Sequence, residues 1–117
     1  MGMDRKIFGD YLKKLIDIRG MSHVEFYTEL DIKKPYFYDI LSGRVNPLKP
    51  ILQFKALTIL KADPQTATIF FDLAANIRGE MPADIKKVTD ENPEFLEDIR
   101  KLLDDLQKAK VKEEKST

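Results

Sequence analysis

Few residues in this chain could do covalent chemistry. There is one histidine, His23, and no cysteine, which excludes a disulfide framework and a thiolate metal site and argues against zinc. Ser22 stands beside His23, but as a helix cap and its neighbour rather than as a nucleophile and its base. Asp104 and Asp105 are adjacent, so on a helix they splay apart instead of sharing a site. No GxGxxG or GxxxxGK[ST] run is present to cradle a phosphate. The expectation is a chain that is not an enzyme and uses no cofactor and no metal. What remains is hydrogen bonding and charge neutralisation, and the residues for it gather in one stretch. Lys33, Lys34, Tyr36, Tyr38, Asp39 and Ser42 are left outside on a short helix, followed by Arg44, Asn46 and Lys49. Tyr36, Tyr38 and Ser42 suit phosphate or sugar contacts, and Arg44, in a loop beside a helix end, suits a phosphate.

The elements that hold these residues are legible. Ser22, with Glu25 three residues on, is a capping box, which starts a helix at residues 23–30. Phe26, Leu30 and Ile32 are spaced to face inward. A tight turn over Asp31 to Lys33 leads into a second helix, residues 34–42, with Phe37, Ile40 and Leu41 toward the core. Gly43 supplies the left-handed stop. Two short helices joined by such a turn form the helix-turn-helix pattern, whose second helix can enter a DNA major groove.

Through Ser22, Glu25, Leu30, Ile32, Phe37, Ile40, Gly43 and the Asn46-Pro47 pair, the stretch resembles the phage repressor and Cro type of helix-turn-helix domain, the xenobiotic-response-element (XRE) family, which is lambda-repressor-like. The wider resemblance covers roughly residues 5 to 77 and implies a five-helix bundle. Pro82 to Ile85 followed by Asn92-Pro93-Glu94 also resembles the tail of many bacterial and phage members. The resemblance implies that Lys34, Pro35 and Asp39 meet base edges. Lys34 would donate to guanine O6 and N7, Asp39 would accept from cytosine N4, and the Pro35 ring would rest on a thymine methyl. It implies backbone contacts at His23, Lys33, Tyr36, Tyr38, Ser42, Arg44, Asn46 and Lys49, with His23 at a helix N-terminus that favours anions. The sequence also departs from the pattern. His23 stands for a usual Gln, Tyr27 for a small Ala where two helices cross, and Asp31 for a Gly that takes positive φ; the loop after Gly43 is a residue longer.

Net charge is zero overall, but residues 1–61 carry 11 Lys/Arg against 7 Asp/Glu, and residues 62–117 carry 9 against 13. The basic surplus lies in the half that holds the motif. A 43 % apolar content is enough for a small packed core. No apolar run approaches the length of a membrane span. The N-terminus lacks a signal peptide's apolar stretch, and a myristoylation pattern would need Ser or Thr where Lys6 stands. The expected location is cytoplasmic, with no membrane partner.

Elsewhere the spacing predicts a helix over 4–19 capped by Asp4, with Ile7, Phe8, Tyr11, Leu12, Leu15, Ile16 and Ile18 mostly on one face. Lys6, Lys13 and Lys14 read as a solvated face. Pro47 and Pro50 stiffen the approach to a helix over 50–61, whose Ile51, Leu52, Phe54, Ala56, Leu57, Ile59 and Leu60 are too many for one face and predict central burial. Asp63-Pro64 caps a helix reaching about Asn76, whose apolar surplus fits either its own core or a dimer surface. A short helix starts at Pro82, and Asn92-Pro93 caps the last. There Phe95, Leu96, Ile99, Leu102, Leu103 and Leu106 form an amphipathic stripe that needs a partner, either the bundle or, in the favoured reading, its own copy.

The expected architecture is all-α: a helix-turn-helix DNA-binding domain over 1–78, a C-terminal helical extension over 79–111 with the dimer interface, and a flexible tail over 112–117. The expected function is that of a sequence-specific transcriptional regulator, a repressor, bound as a homodimer to double-stranded DNA. The alternative is a protein-interaction adaptor or antitoxin on the same fold, with a toxin or another regulator as partner; Tyr27, Asp31, Pro35 and Asp39 feed that reading.

Overall fold

Seven helices and no strand make up residues 2–115, the part that the computed structural model describes. They are α1 (Gly2–Arg19), α2 (His23–Leu30), α3 (Lys34–Ser42), α4 (Pro50–Ile59), α5 (Pro64–Arg78), α6 (Ala83–Glu91) and α7 (Phe95–Lys115). The chain divides into two compact units, one ending at Ala83 and one beginning at Asp84. Among the described residues no helix is long and apolar enough to cross a membrane. Residue 1, and residues 116 and 117 of the expected tail, lie outside the described part; α7 itself continues past Lys112 to Lys115.

The first unit is built around four fully buried phenylalanines, Phe8, Phe26, Phe37 and Phe70, with Leu12, Ile16, Leu30, Ile40 and Leu48 between them. Burying each such side chain stabilises the fold by about 1.5–3 kcal/mol. Helix α1 presents Phe8, Leu12 and Ile16, one residue per turn, while Ile7 and Ile18 are exposed. It begins before Asp4, so that residue lies in the first turn, where its charge suits the helix dipole, rather than at the cap. Gly9 is buried where α1 crosses α3. A Cβ placed there would lie 2.3 Å from the Leu41 carbonyl oxygen and 2.6 Å from that of Ile40.

The capping box of α2 is formed: Ser22 Oγ accepts from Glu25 N at 3.1 Å, and Ser22 N donates to Glu25 Oε1 at 3.2 Å. Asp31 closes α2 at φ 62°, ψ 44°, with its N–H on Thr28 O and that of Ile32 on Tyr27 O. A non-glycine residue in this region costs about 1 kcal/mol; Asp is one of the few types that occupy it. Helix α3 has Pro35 in its first turn and ends at Gly43, φ 80°. Tyr27 does not turn to solvent at the α2–α3 crossing; it is half-buried with its ring 5.4 Å from Phe37.

Helix α4 departs from the expected uniform burial. It buries Gln53, Ala56 and Leu57 and leaves Ile51 71 % exposed. Positions 53, 56, 57 and 60 share a face at 3.6 residues per turn, and Ile51 does not lie on it. The helix ends at Ile59, where Lys61 takes a left-handed φ of 51°. Helix α5 turns its apolar surplus inward: Phe70, Phe71, Ala74 and Ala75 are buried, though Ile69 is exposed.

Asp63 caps α5, accepting from Thr66 N at 2.7 Å. That backbone donor, first among the causes, holds the Asp63 carboxyl below its ordinary range. Burial, and then the Asp63 charge, push the Tyr11 phenol up. A carboxyl depressed by folding stabilises the native state above its unfolded pKa, and that contribution fades as pH falls through the folded value. Asp63→Asn should therefore flatten part of the acid limb of a stability-versus-pH curve, below about pH 4. An acid limb identical to that of the parent would remove Asp63 from the groups responsible.

In the second unit, α6 carries the i,i+4 pairs Lys86–Asp90 and Lys87–Glu91. Asn92 does not cap α7 through its side chain. Its Nδ2 donates back to Val88 O at 2.9 Å, closing α6, and its carbonyl accepts from Phe95 N at 2.9 Å. The stripe of α7 is largely exposed, with Leu102, Leu103 and Leu106 each more than half accessible. A groove of about 450 Å³ runs between α6 and α7, lined by Ile85 and Val88 on one side and by Phe95, Ile99 and Leu102 on the other.

Candidate nucleic-acid interface

The outward side of α3 is set by which residues the core takes. Phe37 and Ile40 are buried and Leu41 is half-buried against them. That leaves Lys33, Lys34, Pro35, Tyr38 and Ser42 exposed. Asp39 is half-buried, and Tyr36, expected outside, packs partly against the core. Lys34, Pro35, Tyr38, Asp39 and Ser42 follow one another at helical spacing, so a single surface carries all five.

His23, at the start of α2, meets this surface at Tyr38. Its Nδ1 lies 3.4 Å from the Tyr38 hydroxyl, and the tautomer decides which group donates. Its ring is 5.4 Å from Phe37, edge on, and 5.9 Å from Tyr38. The histidine is thus half-buried and oriented by aromatic neighbours rather than free. Lys6, Asp10 and Lys13 of α1 line one cleft of about 490 Å³ together with His23, Tyr38, Asp39, Ser42 and Arg44. Lys6 is paired with Asp10.

The loop from Gly43 to Lys49 supplies the remaining candidates. Arg44 is exposed, with its guanidinium 3.9 Å from the Asp39 carboxylate. An exposed pair at that distance contributes little to stability, but it places a cation beside the one acid of the outward α3 surface. Asn46 and Lys49 are exposed as well, while Pro47 and Leu48 between them are buried.

Three side chains pin this loop, two of them from distant elements. Arg5 of α1 donates through Nε to Asn46 Oδ1 at 3.1 Å and through Nη1 to Arg44 O at 3.5 Å. Gln53 of α4, almost wholly buried, donates through Nε2 to Leu48 O at 2.7 Å. Arg78 of α5 donates through Nη1 to Pro47 O at 2.8 Å and holds Glu80 at 3.0 Å. Arg5 and Arg78 lie 41 and 31 residues from their loop partners, so no local pattern flags them. Each satisfies a loop group that would otherwise hold the backbone less firmly.

The arrangement can do one kind of chemistry well. A helix face bearing a cation, a proline ring, a phenol, a carboxylate and a hydroxyl offers both donors and acceptors to a polar edge. The flanking loop adds an exposed guanidinium, an amide and an ammonium suited to phosphate oxygens. Compared with known proteins, the chain matches no family model, and no curated protein or solved structure is significantly similar to it.

Proposed function

We propose that this chain is a sequence-specific DNA-binding regulator of transcription, a repressor of the phage repressor and Cro type, which acts in the cytoplasm as a homodimer. Its first unit is then the lambda-repressor-like bundle, and α3 is the helix that enters the major groove. The observation that carries the reading is the open N-terminal end of α3: Lys33, Lys34 and Pro35 are all exposed, beside a loop that two long-range contacts, from Arg5 and Arg78, and one nearby contact from Gln53 hold in place. Lys34, Pro35 and Asp39 read bases in this proposal. His23, Lys33, Tyr38, Ser42, Arg44, Asn46 and Lys49 hold the backbone, with Tyr36 a lesser contributor because it is half-buried. One helix reads only a few base pairs, so a dimer on half-sites one helical turn apart is needed for useful affinity.

Gel-shift titrations on genomic fragments at several salt concentrations test this. Arg44→Ala should weaken binding to every sequence and flatten the slope of log affinity against log salt by about one unit. An unchanged slope would strike Arg44 from the phosphate contacts. Lys34→Ala should cost about 1–3 kcal/mol and relax preference at one base pair. An equal loss on all sequences would show that Lys34 reads no base.

A second reading, a protein-binding adaptor or antitoxin, draws on the carboxylates of Asp10 and Asp39 in the cleft beside α3, which would repel a phosphate backbone. Absence of any gel shift at low salt would pass the case to that reading.

A further inference from the structure

The groove between α6 and α7 has two properties that together specify what fills it. The first is its shape. Phe95, Ile99, Leu102, Leu106 and Ala109 recur at steps of four and three along α7, the seam of a two-helix pairing. The seam is bulky and already flanked by α6 in its first half, where Ile85 and Val88 face Phe95, Ile99 and Leu102 across the groove. In its second half it is slim, with Leu106 and Ala109, and its next position is Glu113. The second property is charge. Glu94 precedes α7 and Glu97 and Asp98 lie in its first turn, while Lys108, Lys110 and Lys112 lie toward its other end, ahead of Glu113 and Glu114. Asp84 and Asp98 line the groove itself.

We infer that the groove is the seat of α7 from a second copy of this chain, lying antiparallel. This rests on the dimer reading above and adds its geometry. Antiparallel pairing lays the slim, basic half of each helix into the wide, acidic groove of the other. The layers are Leu102 opposite Leu106, Ile99 opposite Ala109 and, at the groove mouth, Phe95 against the stem of Glu113, each repeated by the two-fold axis near residue 104. The flanking position of Asp98 then meets Lys112 of the second copy, twice, and Asp105 meets its own copy beside the axis. Parallel pairing would instead set acidic start against acidic start, crowd two α6 helices at one end, and leave two slim halves with little to bury. Its flanking contact is Asp105 with Lys110.

Three exposed positions tell the two geometries apart, so folding is not at risk. Sedimentation equilibrium on the full chain, without DNA, reads the result. Asp98→Lys and Lys112→Asp should each raise the dimer dissociation constant about tenfold, and the two together should restore it to within about threefold. Asp105→Asn should tighten the dimer by removing a like-charge contact, whereas parallel helices would lose an attraction and loosen. A monomer at high micromolar concentration, a looser dimer with Asp105→Asn, or no restoration in the double variant would overturn the inference. The regulator reading is tested separately, by gel shift: a shift by a chain that stays monomeric would end the dimer and leave DNA binding standing, and an intact antiparallel dimer that shifts no DNA would end the regulator reading alone.

Discussion

Gly9→Ala should lower the stability of the first unit by about 2–3 kcal/mol, the size expected when an atom is forced into a packed interior, and its thermal midpoint by about 10 °C or more. Two effects oppose each other. Alanine is the better helix former and by itself would add about 1 kcal/mol. Against that, the new Cβ would lie 2.3 Å from the Leu41 carbonyl oxygen and 2.6 Å from that of Ile40. Both obstacles are backbone, which cannot swing aside as a flexible side chain can. Helix α1 must retreat from α3, and the buried rows that both helices contribute, Phe8 and Leu12 on one and Phe37 and Ile40 on the other, loosen with it. The clash therefore outweighs the propensity gain. Urea unfolding followed by circular dichroism measures the difference. A variant as stable as the parent would mean that α1 and α3 do not approach as closely as described.

Phe37→Ala should cost about 3–5 kcal/mol, the usual loss for a buried aromatic. Phe37 is fully buried, and its ring centroid lies 5.4 Å from that of His23, 5.9 Å from Phe26, 5.4 Å from Tyr27 and 5.1 Å from Tyr38. Three of these neighbours belong to α2, so one ring ties the two helices of the motif together. Removing it leaves a cavity at the α2–α3 junction and frees His23 and Tyr38. Native domains carry only about 5–15 kcal/mol in total, so the variant should be partly unfolded at growth temperatures, and any function of α3 should fail with it. Phe37→Leu, which keeps most of the volume, should lose markedly less. Equal losses for the two variants would show that packing at this ring is not what joins α2 to α3.

Part of this molecule was readable without coordinates because the signals are local. Ser22 and Glu25 mark the start of α2, Gly43 the end of α3, and Asp63-Pro64 the start of α5; each acts on backbone groups within a few residues. The alternation of apolar residues likewise identified Phe26, Leu30, Phe37 and Ile40 as interior positions. Where the sequence signal was ambiguous, it misled. The many apolar residues of α4 pointed to burial all round, yet Ile51 is exposed and Gln53 is buried, because composition counts residues and packing selects a face. Asn92 was expected to cap the helix after it and instead closes the one before it; its amide can serve either, and only the local path of the chain chooses.

Local signals suffice to make the described chain helical, to place most helix ends, and to gather donors and cations on one helix and the loop after it. Those follow from hydrogen bonds and periodicities that span a few residues. Packing in three dimensions is what brings α1 against the α3 backbone at Gly9, and what lets Arg5, Gln53 and Arg78 hold the loop from Gly43 to Lys49. It also decided that Tyr36 leans into the core while Tyr38 faces out. These depend on which helices pack together, and that choice is made by the shape of the whole core, not by any residue's neighbours in the chain.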